Sequence, residues 1–426
     1  MKGRNNMNCD INGVKDILEK NRQNNILNWL EQANEEQKAK IMQQVFSFDF
    51  EQLNELYKKT KTKVEFPNNK IENIRCVDLS KLDEINFKKY KDIGEDIIKN
   101  GQYAVITMAG GQGTRLGHIG PKGTFKINSI NGEKYLFEII VESLKKANEK
   151  YNVTIPWYIM TSEENNEQTI NFLEEKNYFD YPKESVMFFK QGKAPLLDLN
   201  GKLLIDENGT IKEASDGNGS IYQSLDKDGM ILDMKKRGIK WIFVGGVDNI
   251  LLRIVDPILT GLTISENNLI SSKSVIKRNP TEKVGVFCKC NGKPMVIEYT
   301  ELPEDMANMY DENGELVYGE VNILSHLYNI EALEELSTKK LPYHIAFKKA
   351  NYLNENKELI KVTQPNAYKF ESFIFDGFSY YDDMSILRVK REEEFAPIKN
   401  AEGNDSPKTA TELYNSVIKN KKKCMI

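Results

Sequence analysis

Residues 103–127 read YAVITMAGGQGTRLGHIGPKGTFKI, an apolar run that gives way to Gly110, Gly111 and Gly113 and then to Arg115 and Lys122. Glycines placed directly after a strand let the backbone turn tightly and bring its N–H groups against the phosphates or base of a ligand. Arg115 and Lys122 would then supply positive charge where a polyphosphate lies. Two other glycine loops are excluded. No G-x-x-x-x-G-K-[ST] string occurs, which removes the P-loop. A G-x-G-x-x-G fingerprint begun at Gly111 needs glycine at position 116, where the chain has Leu116, so dinucleotide binding loses its main support.

Asp248, in VGGVDN at the end of an apolar run, is the best metal-ligand candidate, because magnesium takes one or two carboxylates together with phosphate oxygens. The same residue could serve as a cap or turn. In DGNGS, Gly217 offers close packing and Asn218 an amide suited to hydroxyls. D-G and N-G are also turn signals, and both readings stand together. A hydrolase constellation is missing: the chain has three histidines and no G-x-S-x-G. Cys288 and Cys290 form C-x-C, whose alternation on a strand shares one face, but zinc would need further ligands that no second C-x-C or histidine pair supplies. His118 follows Arg115 closely and reads either as a phosphate contact or as a solvated loop residue.

These residues need a scaffold, and the hydrophobic pattern describes one. Ile41, Val45 and Phe48, then Leu53, Leu56 and Tyr57, recur at helical spacing, so residues 12–60 read as helices. From residue 101, apolar runs at 103–108, 155–160, 186–189 and 241–244 alternate with helix-like stretches such as LFEIIVESLKKANEK and NNEQTINFLEEKNYF. Strands separated in this way predict βαβ units and a mostly parallel sheet. Asn208-Gly209 and Asn291-Gly292 look like hairpin turns, so antiparallel strands join later. The expected fold is α/β, with a Rossmann-like, mixed but mostly parallel central sheet flanked by helices. The expected division is an N-terminal helical region (1–98), a catalytic domain (99–340) and a small C-terminal region (341–426), with Lys421 to Lys423 as a disordered basic tail.

Composition narrows the class. The 426 residues exceed the roughly 150 of one typical domain. Fifty-nine Lys and Arg against 63 Asp and Glu give a net charge of −4, too balanced for a nucleic-acid footprint. Five scattered cysteines argue against a disulfide framework, and no run approaches a membrane span or a secretory h-region. A cytoplasmic protein without nucleic-acid or membrane partners is expected.

MAGGQGTRLG followed by GPKG resembles the loop of the nucleotidyl-sugar pyrophosphorylases, and AGGQGTRLG is similar to the version in the UDP-N-acetylglucosamine pyrophosphorylases of the UDP-sugar pyrophosphorylase superfamily. Seven further blocks follow in that family's order: 188–198, 214–225, 244–257, 284–302, 321–328, 365–378 and 391–403. The resemblance implies a nucleotide-diphospho-sugar transferase fold and a uridylyltransferase. UTP and a sugar-1-phosphate, most naturally N-acetylglucosamine-1-phosphate, would give a UDP-sugar and pyrophosphate with Mg2+ or Mn2+. The sugar phosphate is already an anion, so catalysis would rest on position and charge neutralisation.

The resemblance also implies roles. Arg115, Lys122 and, from the C-terminal side, Lys369 would meet the phosphates. Gln191 would read the uracil edge, since an amide donates and accepts at once. Backbone at Met108, Ala109, Gly110 and Gly111, with Gly217, would complete the nucleotide site. Asn218, Gly285, Glu298 and Asn322 would face the sugar, and Asp376 would join Asp248 at the metal. The chain departs from the family at Ser220, where a second glycine is common, and at Ser325, where N-I-x-N-H is common. These departures bear on the sugar. A UDP-glucose or UDP-galactose pyrophosphorylase is one alternative, and a UDP-sugar-binding regulatory protein without turnover is another.

Overall fold

Tyr103–Met108 forms a strand with all six side chains buried, as a run without alternation requires when a sheet is covered on both faces. It lies in one of two units of the computed structural model, which describes residues 11–62 and 70–423. The larger unit takes Phe66–Gln191, Ile221–Lys340 and Ile374–Ile426; the smaller takes Met1–Glu65, Gly192–Ser220 and Leu341–Phe373.

The larger unit carries an eleven-stranded sheet: β1 (Ile71–Glu72), β2 (Val77–Asp78), β3 (Tyr103–Met108), β4 (Trp157–Thr161), β5 (Val186–Lys190), β6 (Trp241–Gly246), β7 (Ile270–Ile276), β8 (Val286–Cys290), β9 (Lys293–Ile297), β10 (Glu320–Asn329) and β11 (Ser385–Arg388). The main path runs β2-β11-β7-β10-β6-β3-β4-β5, while β8 pairs with β1, β9 and β10 off it. Along the path every pair is parallel except the two that involve β10. The mostly parallel sheet read from the sequence is therefore present, with β10 inserted against the grain. Helix Leu136–Tyr151 supplies the first crossover and buries Phe137, Val141 and Leu144 against Trp157 and Phe243. Each such side chain contributes about 1.5–3 kcal/mol when fully buried.

The second helical stretch ends early. Helix Asn166–Glu175 stops before Asn177, Tyr178, Phe179 and Asp180, all four of which have φ between 47° and 62°. A left-handed turn of non-glycine residues is sterically costly and cannot continue a right-handed helix. Asn291-Gly292 makes the expected hairpin between β8 and β9, both residues having positive φ. Lys421 to Lys423 are not a disordered tail: they continue helix Pro407–Lys423.

In the smaller unit, helices Ile11–Lys20, Asn24–Gln32, Glu35–Ser47 and Phe50–Lys59 confirm the N-terminal reading. Asn34 caps the third through a reciprocal box with Gln37, and Asp49 caps the fourth. Their apolar faces share a core with Leu197, Leu203, Ile205, Ile211 and Phe370. Buried Gln44 pairs both the N–H and the C=O of Ile211, completing a strand edge with a side chain. This grouping cuts across contiguous boundaries at 98 and 340. Leu197–Asp198 pairs with Ala367–Glu371, which pairs with His344–Lys348, so backbone hydrogen bonds join segments far apart in sequence.

Candidate active site

The glycine-rich loop leaves the end of β3 and is fixed by its own backbone. Met108 O accepts the Val247 N–H, Ala109 N–H donates to Met160 O, and Asn165 Nδ2 donates to Ala109 O at 2.9 Å. Farther on, Lys122 N–H donates to Gly111 O and Gly113 N–H to Gly120 O, both at 3.0 Å. Gly117, at φ 68°, closes the short turn Thr114–Leu116 that carries Arg115, which is exposed. His118 is half-buried: its Nε2 lies 2.7 Å from Thr124 Oγ1 and its ring meets Phe125 edge-on.

Gly110 and Gln191 come together. A Cβ at Gly110 would stand 2.5 Å from Gln191 Oε1, so only glycine lets the amide lie against the loop. Gln191 itself is placed by its N–H to Thr161 O at 2.9 Å, continuing the β4–β5 pairing. Lys122 and Asp248 also meet, Nζ to Oδ2 at 3.4 Å, both side chains largely buried at 16% and 24% exposure. In that setting their charges are screened less than on an open surface.

The residues expected at the sugar in this unit are neighbours. A Cβ at Gly285 would stand 2.9 Å from Glu298 Oε1, and Asn322 N–H donates to Gly285 O at 2.9 Å. Asn322 Oδ1 accepts the Leu324 N–H at 3.0 Å, which leaves its amide nitrogen as the donor group. Leu324 has φ 55°, beside a register shift between β7 and β10 at Ser272 and Ser274. A Cβ at Gly246 would meet both Leu324 Cδ2 at 2.9 Å and Asp248 Oδ1 at 2.6 Å. Leu324 thus links the Asn322 turn to the strand end that carries Asp248. No sequence signal pointed to it, because a left-handed leucine follows from no local rule.

Asp376 lies half-buried in the turn Ile374–Tyr380. Tyr222 pins that turn, donating to Ile374 O at 2.7 Å, and its hydroxyl pairs with that of Tyr328. Buried His326 packs on Phe378, its Nδ1 2.6 Å from Ser272 Oγ, and burial pushes its pKa down to about 3. Among the described residues no group of three His, Cys, Asp or Glu side chains could hold a metal by itself. Asp248 alone still fits a magnesium ion, which shares its coordination with substrate phosphates. Cys288 is buried and Cys290 half-buried; both are free thiols. Cys9 and Cys424 lie outside the described residues.

The smaller unit holds Gly217, Asn218 and Lys369. Gly217, at φ 91°, packs against the Ser372 carbonyl, and Asn218 begins the short turn Asn218–Ser220. Lys369 Nζ is paired with Glu371 at 2.8 Å. Ser220, where the family often has glycine, donates to Gly217 O and accepts the Gly192 N–H, which ties two loops together. Beside it Asp216 is 92% buried, and that burial pushes its pKa up to about 6. The D-G turn signal concealed this carboxyl from sequence reasoning.

A glycine-rich loop at the end of a central parallel strand, with a lysine–aspartate pair at the neighbouring strand end, defines a nucleotidyltransferase-type α/β protein. The family described as "UTP--glucose-1-phosphate uridylyltransferase" matches residues 47–415, and the chain belongs to it. It is 34% identical over 424 residues to the Dictyostelium discoideum protein named "Probable UDP-N-acetylglucosamine pyrophosphorylase", covering 93% of this chain and 87% of that one. It is 38% identical to the Saccharomyces cerevisiae UDP-N-acetylglucosamine pyrophosphorylase over 338 residues, 76% of this chain and 71% of that one. The crystal structure of the Trypanosoma brucei uridine diphosphate N-acetylglucosamine pyrophosphorylase superimposes with a TM-score of 0.81 at 29% identity, over 96% of this chain and 85% of that one. Among the described residues no helix is long and apolar enough to cross a membrane.

Proposed function

We propose that the protein transfers a uridylyl group from UTP to N-acetylglucosamine-1-phosphate, releasing pyrophosphate. The observation that carries this reading is the continuity from Gly110 and Gln191, through Lys122 and Asp248, to Gly246, Leu324 and Asn322, because uracil, phosphates and sugar then find groups of matching chemistry in that order.

Gln191 can accept from and donate to the uracil edge while the loop backbone lies against the base. A sugar phosphate oxygen attacks the α-phosphorus in line and pyrophosphate leaves with its negative charge. Arg115 and Lys122 balance charge on the phosphates, and Lys369 is assigned the same task in the smaller unit. Asp248 would hold a divalent ion, with Asp376 as a second carboxylate. When bound, that ion neutralises phosphate charge. Asn322, its carbonyl oxygen already engaged, presents an NH2 donor suited to an acetyl carbonyl, while Glu298 accepts a sugar hydroxyl and Gly285 admits the ring; Asn218, in the smaller unit, is assigned to sugar hydroxyls. The backbone from Met108 to Gly111 completes the nucleotide contacts of the larger unit, and Gly217 is assigned to the nucleotide in the smaller unit.

The test is pyrophosphate release from UTP and Mg2+ across equal concentrations of N-acetylglucosamine-, N-acetylgalactosamine-, glucose- and galactose-1-phosphate. Fastest release with the N-acetylglucosamine substrate is expected. Preference for glucose-1-phosphate, the sugar in the family's description, would keep the transfer and discard the acetyl assignment. No release with any sugar from a UTP-binding protein would leave a binding protein.

A further inference from the structure

We infer that residues 394–398 form a strap that holds Asp248 in place, with Asn249 as its latch and a positioning residue for the reaction; the inference rests on the reading of Asp248 given above. Asp248 follows β6 in a loop that no regular element supports from within. The chain returns to it from almost 150 residues away. Ile398 N–H donates to Asp248 O at 2.9 Å, Ile250 N–H donates to Ala396 O at 3.3 Å, and Asn249 bridges Pro397 in antiparallel fashion. Those bonds flank Asp248 on its backbone and leave its carboxylate facing Lys122.

Asn249 closes the arrangement with its side chain. Its Nδ2 donates to Glu394 O at 2.9 Å, and its Oδ1 accepts N–H groups from Ala396 at 2.9 Å and Leu251 at 3.3 Å. The residue is 93% buried, and both its amide oxygen and its amide nitrogen are engaged in joining the loop and the strap.

The strap is itself anchored in the interior. The wholly buried Lys273 on β7 pairs at 2.6 Å with Asp256, which caps helix Pro257–Ser265, and at 2.6 Å with Glu394 at the head of the strap. Burial by itself would raise the Asp256 pKa, yet the Lys273 and Arg253 charges hold it below its ordinary value. A buried pair of this kind adds little net stability but fixes geometry strongly, since any displacement strands a charge. Charge and backbone pairing therefore converge on one mechanical role, a rigid frame behind Asp248.

The experiment combines Asn249→Ala with Asp248→Asn in a double-mutant cycle. Asn249→Ala is expected to lower kcat about tenfold or more with the UTP KM within about threefold, and to add no further loss on the Asp248→Asn background, since residues that act through one another are non-additive. Hydrogen exchange of a peptide spanning 391–398 is expected to quicken in Asn249→Ala and to stay unchanged in Asp248→Asn. Pro397→Gly, which loosens the strap from its other side, carries the same expectation if Asn249→Ala folds poorly. An equal loss on both backgrounds, or unchanged exchange and turnover, would overturn the strap. If the wild type releases no pyrophosphate, the functional reading falls by itself, and the exchange experiment still decides the strap.

Discussion

The Gly110 Cα lies against the Gln191 side chain so closely that a methyl group on it would stand 2.5 Å from Oε1. A strand-end glycine and an amide eighty residues away thereby define one surface, and a side chain added at 110 has to displace the amide. Gly110→Ala should push the Gln191 amide off the loop and raise the UTP KM about tenfold or more, with less effect on the sugar-phosphate KM. Steady-state kinetics at varied UTP checks this; an unchanged UTP KM would separate Gln191 from the base.

Arg115 is exposed on its turn, so removing its side chain disturbs no packing. Arg115→Ala should keep its melting temperature within about a degree or two while turnover falls by about 10²-fold or more, the usual cost of losing a group that balances transition-state charge. Near-normal turnover in a folded variant would sink its role.

Asn322 uses its carbonyl oxygen on Leu324 N–H, which leaves its amide nitrogen as the donor group. Asn322→Ala should lower kcat/KM for N-acetylglucosamine-1-phosphate by the equivalent of about 1–3 kcal/mol more than for glucose-1-phosphate, the cost of leaving a buried acceptor unpaired. Equal losses on the two substrates would place the acetyl pocket elsewhere.

Asp216 gives a pH signature. Its folded pKa, pushed up to about 6 by burial, exceeds the ordinary 3.8, so the folded protein holds the proton where the unfolded chain has released it. Stability from this group is present below pH 3.8 and is lost as pH rises to about 6. Asp216→Asn should therefore raise the melting temperature at pH 7, and the gain should shrink towards pH 4. Thermal melts at both values decide it; a gain that grows on acidification would mean the carboxylate is favoured in the fold.

Lys273 faces two carboxylates with no exposure of its own. Lys273→Met should cost about 3–5 kcal/mol, because Asp256 and Glu394 are left buried with less compensation. Denaturant unfolding measures the loss, and a value below about 1 kcal/mol would show that Arg253 suffices.

The strands at 103–108 and 241–246 and the helix at 136–151 were legible because long apolar periodicity dominates local choices there. Asp248 stood out as a strand-end acid with a cap or turn as its alternative reading, whereas Gln191 and the 284–328 residues were legible only through resemblance, since an isolated loop glutamine carries no signal of its own. Tertiary context hid the rest. Nothing local foretells the left-handed backbone of Leu324 or of residues 177–180. Asn249, Glu394 and Lys273 read as ordinary polar residues until the fold brings them together. Segments 192–220 and 341–373 are joined by strand pairing and meet the first helices through a shared core, contacts between residues distant in sequence that periodicity cannot report.

Strand β10 also governs the order in which the sheet can be made. It separates β6 from β7, and each of these pairs with it on one side. During synthesis β6 can join β3 early, but its other edge stays open until residues beyond 320 emerge, and β7 has no partner at all until then. Two apolar strand edges therefore wait together in the nascent chain, a state prone to wrong pairing between chains. A ribosome that stalls between residues 276 and 320 would release an aggregation-prone fragment, whereas one that stalls after 329 would leave the centre of the sheet closed.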